Sequence, residues 1–122
     1  MYSIQVDTAH NVVEVKLGGL MPLDEVAGYI FDLKRTIEAH RLSNDYAMVI
    51  DVSHCPIQSQ DMIKAMGAHM ATMPKARSLA IVTGSSLARM QIKRLFTQAY
   101  ARIVATADQG RGWVISGTEP SP

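Results

Sequence analysis

The sequence predicts an α/β fold built on a mostly parallel sheet, and three observations predict it. Residues 47–50 and 79–82 are apolar without alternation and rich in β-branched side chains, as strands covered on both faces are. Stretches with apolar residues recurring every three or four positions alternate with these strands, which implies parallel crossovers of right-handed sense. The first seventeen residues instead alternate with period two about a turn, which adds one antiparallel edge strand.

In order, residues 3–8 set Ile4 and Val6 against Ser3, Gln5 and Asp7, and residues 12–17 set Val13, Val15 and Leu17 against Glu14 and Lys16. Both read as half-buried strands. His10-Asn11 turns between them because asparagine tolerates positive φ, and Gly18-Gly19 ends the hairpin. Pro22 suits a first helical turn, and Asp24 and Glu25 suit its positive end. Val26, Ile30, Leu33 and Ile37 then mark an amphipathic helix over about 23–41. A loop at 43–45 leads into the strand 46–52.

That strand is the centre of the chain. It turns polar at Asp51 and Ser53, breaks at Pro56, and delivers its loop to a second helix, over about 60–73, stopped by Pro74. Gly67 inside that helix costs up to about 1 kcal/mol relative to alanine and permits a close neighbour. A second interior strand, 78–83, ends in Thr83-Gly84-Ser85-Ser86, where a serine can cap a third helix bearing Ala88, Ile92, Leu95 and Ala99. A fifth strand at 102–105 and a helical turn at 109–115, closed by Gly117, complete the order β-β-α-β-α-β-α-β-α. One domain over 1–117 and a loose tail at 118–122 are expected.

Bulk properties narrow the function classes. A length of 122 residues with 48% hydrophobic content gives a real core. No apolar stretch approaches the roughly 20 residues of a membrane span. The first residues lack the basic and apolar regions of a signal segment. A net charge of +1 gives no bulk attraction to nucleic acid. A single cysteine forms no internal disulfide, which fits a cytoplasmic location.

The element order resembles the STAS domain superfamily, the group of anti-sigma factor antagonists and sulfate transporter domains. So do the hairpin, the run Val49-Ile50-Asp51-Val52-Ser53 with its loop, and the run Ser86-Leu87-Ala88-Arg89-Met90-Gln91. Within the superfamily, the chain is most similar to the small bacterial SpoIIAA-like proteins, and the resemblance spans nearly all of it. It implies strands in sequential order wound as a β-α superhelix, and a non-enzymatic binding or regulatory role. The lipid-carrying CRAL-TRIO group is similar in fold. The STAS switch is a phosphorylated serine in an Asp-Ser-Ser-Gly-like motif after the central strand. Here that loop reads Ile57-Gln58-Ser59-Gln60-Asp61-Met62. The family's serine falls near Gln60 or Asp61, Ser59 stands one position early, and the glycine is missing, so Ser59 reads as a helix cap.

No catalytic set is expected. His54 and Cys55 are adjacent, and neighbours on an extended chain point to opposite sides. An activated thiolate also needs an identified neighbour. His10, His40, His54 and His69 are scattered, without His-x-x-x-His or Cys-x-x-Cys spacing, so neither a metal nor a cofactor is expected. Thr83-Gly84-Ser85-Ser86 could cradle an anion at a helix start or simply cap it; it lacks the lysine and second glycine of a P-loop. Arg89 in the first turn opposes the helix dipole, which gives an anion or an acidic partner a place.

Two functions follow. The first is a self-associating interaction module, a homodimer, that binds a partner protein or a small anion. Its site would comprise Asp51, Ser53, His54, Ser59, Gln60 and Asp61 of one loop and Thr83, Gly84, Ser85, Ser86 and Arg89 of the next, where α/β sheets usually bind ligands. The second is a carrier of a lipid or other apolar molecule, resting on Met62, Met66, Met70 and Met73, since methionine surfaces adapt to varied partners. Four helices wound on one side would leave the second face of the sheet bare. The strands 46–52 and 78–83 are apolar on both faces, so a helix of the same chain, a second subunit or a greasy ligand must cover it.

Overall fold

A computed structural model describes residues 1–42, 45–55, 64–65, 67–68, 71–72 and 75–119. Five strands form one mixed sheet in the order β1-β2-β3-β4-β5. They are β1 (Tyr2–Asp7), β2 (Val12–Gly18), β3 (Ala47–His54), β4 (Ser78–Val82) and β5 (Ala101–Val104). Three helices are bounded within the described residues: α1 (Leu23–Ala39), α2 (Ser86–Leu95) and α3 (Ala107–Ser116). The helix expected over 60–73 falls largely outside the described residues, of which Lys64, Ala65, Gly67 and Ala68 are helical. None of the helices described is long and apolar enough to cross a membrane.

β1 and β2 are antiparallel and joined at Asn11, which takes φ 53° as the turn requires. β2, β3, β4 and β5 are mutually parallel. The register sets Val15 beside Ile50 and Ile50 beside Ile81, so one face of the sheet is a continuous apolar layer. On it α1 lays Val26, Tyr29, Ile30, Leu33 and Ile37, all buried. Each such side chain contributes roughly 1.5–3 kcal/mol when fully withdrawn from water.

The sequence carries α1 to about residue 41, but the helix ends at Ala39. Arg41 adopts φ 54°. Its N–H bonds the Glu38 carbonyl, and the Leu42 N–H reaches back to that of Ile37, each at 3.0 Å. This is the paired closure that normally recruits glycine. Here burial of Leu42 against the core holds an arginine in the left-handed conformation.

The second face is covered by the chain itself. α3 lies across β3, β4 and β5, where Val12, Ala47, Val49, Ala80, Val82, Val104 and Val114 form a separate buried cluster. A side chain at Gly110 would meet Ala80 Cβ at 3.3 Å, Val49 Cγ1 at 3.4 Å and Val104 Cγ2 at 3.5 Å, so the bare Cα lets the helix settle onto the strands. Thr106 caps α3 by accepting from the Gln109 N–H at 3.2 Å, and Gly117 ends it at φ 70°. Of the three covers the sequence left open for this face, the terminal helix is the one present. It starts two residues before the expected turn because Thr106 supplies the cap.

Candidate functional site

Parallel strands finish together, so β2, β3 and β4 deliver their loops to one edge of the sheet. Gly18 is in register with His54, and Asp51 with Val82. The Gly19 N–H donates to the His54 carbonyl at 3.3 Å, tying the first two loops. The Asp51 carboxylate accepts from the Ser53 N–H at 2.9 Å and from its hydroxyl at 2.5 Å. That arrangement is a side-chain turn, and it leaves Ser53 and His54 exposed.

The adjoining loop is organised by its own hydroxyls. Thr83 is buried and accepts from the Ser85 N–H at 3.2 Å. Ser85 in turn caps α2, accepting from the Ala88 N–H at 3.2 Å. Ser85 therefore caps the helix with its own side chain, while Gly84, Ser85 and Ser86 face solvent. Arg89 turns back to the sheet, where its guanidinium donates to the Ile103 carbonyl at 3.4 Å. The register thus places Asp51, Ser53 and His54 at the same sheet edge as Thr83, Gly84, Ser85 and Ser86, while the Asp51 side chain lines the second face and Arg89 reaches toward β5. The other residues singled out (Ser59, Gln60, Asp61, Met62, Met66, Met70 and Met73) lie outside the described residues.

Hydrophobic side chains flank these polar loops. Leu20 after β2 is 68% exposed, and Leu87 and Met90 on α2 are 61% and 57% exposed. α2 also carries Arg89, Lys93 and Arg94 and no acidic residue. Sequence reasoning passed over these three apolar residues; the spacing of Leu87 and Met90, off the Ala88–Ile92 stripe, is the signal that would have found them.

Cys55 is half-buried. Burial pushes its thiol pKa up, partly offset by the N-terminal ammonium, and the Asp51 carboxylate adds to the rise. Both upward effects hold it in the thiol form. Among the described residues no cluster of three or more His, Cys, Asp or Glu could hold a metal ion.

A groove of about 350 Å³ opens on the second face, between the hairpin and α3, lined by Ser3, Gln5, Glu14, Lys16, Asp51 and Arg111 and by apolar groups of Val15, Val49 and Ala107. Arg111 bridges both hairpin strands, to Asp7 at 3.0 Å and to Glu14. Hydrogen bonds from His10 first and Arg111 second hold the Asp7 carboxyl down at about 2. The sequence showed this alternation only as a solvent face. That α3 would close over it depends on where residue 111 lands in three dimensions, which no local pattern encodes. Compared with protein-family models and with curated proteins, the sequence matches none.

Proposed function

We propose that the chain is a non-enzymatic, STAS-like binding module that docks an acidic face of a partner protein on the carboxyl edge of its sheet and the adjoining α2. The observation that carries this reading is the exposed apolar pair Leu87 and Met90 on α2, a helix with three cations and no acid, with Leu20 also exposed after β2. Apolar anchors inside a polar rim are what a protein interface needs. A small inorganic anion would use neither leucine. The exposed polar groups of the two loops, Ser53, His54 and Ser86, would form the rim. Sequential strand order in a mixed sheet supports the STAS-like assignment, and the raised Cys55 thiol supports the absence of nucleophilic chemistry. The carrier reading rests on methionines outside the described residues and gains no observation of its own.

Photo-crosslinking in cells tests it. A benzophenone side chain at position 87 or 90 should capture one discrete protein, and Met90→Asp should abolish capture from position 87. A probe at Phe31, an equally exposed apolar residue on α1, should capture nothing in common. Equal capture from both helices, or capture indifferent to Met90→Asp, would reject the site.

A further inference from the structure

The sheet has two edge strands, and the chain treats them differently. On β5, the Leu79 and Thr83 N–H groups bond the Tyr100 and Val104 carbonyls, so the backbone groups of Ala101 and Ile103 point outward. Three of those four groups are capped locally. The Ala101 N–H donates to the Gln98 carbonyl at 3.1 Å, and the Ala101 carbonyl accepts from Arg102 at 3.0 Å. The Ile103 carbonyl accepts from Arg89, and just past the strand the Ala105 N–H donates to Gln109 Oε1 at 3.0 Å. Arg102 also binds Glu119 at 2.9 Å, which holds the end of the described chain near this edge.

β1 has no such cover. Met1 and Gly18 exchange backbone hydrogen bonds at 2.7 and 2.9 Å. Antiparallel alternation then assigns Ser3, Gln5 and Asp7 to the ladder with β2 and turns the N–H and C=O of Tyr2, Ile4 and Val6 outward. No partner for these six groups exists among the described residues. The strand keeps unbroken register over six residue pairs. It carries no proline and no lysine, the usual devices that protect an edge.

We infer that β1 is a self-association edge, at which a second copy of this chain adds its own β1 antiparallel across a two-fold axis to make one ten-stranded sheet. This surface is separate from the proposed partner site. The strand is complementary to itself in one register. With Ile4 opposite Ile4, Tyr2 stands opposite Val6 of the second copy and all six outward groups pair. The same register sets Ser3 opposite Gln5 of the second copy on the groove side. Because Ser3 neighbours Lys16 and Gln5 neighbours Glu14 within each chain, each cross-sheet row then runs from a lysine in one copy to a glutamate in the other.

Sedimentation of the full chain across concentration, with residue-resolved amide hydrogen exchange, tests the inference. The expected result is a dimer whose formation slows exchange at Tyr2, Ile4 and Val6 by about tenfold or more relative to dilute protein. Ser3 and Gln5 are exposed, so Ser3→Lys with Gln5→Lys should leave the dilute monomer folded, read by circular dichroism. It sets like charges opposite each other across the axis, so it should weaken the dimer about tenfold or more. Ser3→Lys with Gln5→Glu should keep the dimer. A chain that stays monomeric at concentrations approaching about 1 mM, a dimer indifferent to the double lysine, or outward amides whose exchange ignores concentration would each overturn it.

Discussion

The two faces of the sheet are packed on opposite plans. The first is filled by large side chains, with Tyr29, Leu33, Ile37, Met48 and Ile81 among the most deeply buried. In the buried cluster of the second the strands contribute only alanine and valine, with Gly110 of α3 set directly on them. Bulk holds the thick layer, so it fails by losing atoms. Close approach holds the thin layer, so it fails by gaining them. The same apolar strands therefore respond in opposite ways to changes of side-chain size on their two sides.

The largest expected effect lies on the thick side. Leu33 is fully buried, and Leu33→Ala should cost roughly 2–5 kcal/mol through lost transfer energy and the cavity left behind. Chemical denaturation measures it; a cost under about 1 kcal/mol would mean that α1 collapses to fill the gap. On the thin side the damaging change is enlargement. Gly110→Leu should cost about 1–3 kcal/mol by overpacking. Gly110→Ala should come close to neutral, because its tight contact at 3.3 Å is offset by up to about 1 kcal/mol of helix propensity. If Gly110→Leu were neutral, α3 would not be seated where its glycine meets Ala80.

Arg111 sharpens the contrast, since the thin layer continues outward into an ionic clasp rather than more apolar core. The arginine is about one-third exposed, so Arg111→Met should cost no more than about 1 kcal/mol. Its clearer readout is pH dependence. The Asp7 carboxyl titrates at about 2 instead of 3.8. A depressed folded-state pKa stabilises the protein above the unfolded value and loses that effect as pH falls toward the folded one. Stability should therefore decline between about pH 4 and pH 2. Arg111→Met should shallow that decline without removing it, because His10 supplies the larger share of the shift. Identical acid profiles for the two proteins would show that the clasp does not form in solution.

These two plans were unequally legible in the sequence. Period-two alternation in the hairpin and the 26-30-33-37 stripe of α1 located their elements to within two residues, because burial imposes those periods locally. The doubly apolar strands showed that a second cover was required. They did not say that Gly110 would provide its seat, since a glycine in a weakly patterned helix also reads as a break. The candidate loops were placed on one edge by strand order alone. Their hydrogen bonds were legible only at Ser85, a cap with a local signature. The bonds Arg89 makes to β5 and Arg111 makes to the hairpin depend on tertiary placement and left no such trace.

The smallest expected effect tests whether the thick layer is apolar throughout. The Tyr29 hydroxyl is fully buried without a hydrogen-bond partner among the described residues, and burial pushes its pKa upward. The Tyr29 ring lies 5.6 Å from that of Tyr2, tilted by 58°. Tyr2 differs in that its hydroxyl reaches Asp32 at 2.5 Å. Removing a buried, unsatisfied hydroxyl while keeping the ring lifts a desolvation cost and opens little space. Tyr29→Phe should therefore leave stability unchanged or raise it by up to about 1 kcal/mol. Tyr2→Phe, which strands no buried group, should lower it by a few tenths to about 1 kcal/mol through the lost hydrogen bond. Thermal and denaturant unfolding of the two variants, run side by side, read the difference directly. If Tyr29→Phe is the more damaging of the pair, its hydroxyl has a partner in solution, and the thick layer holds a polar contact of its own.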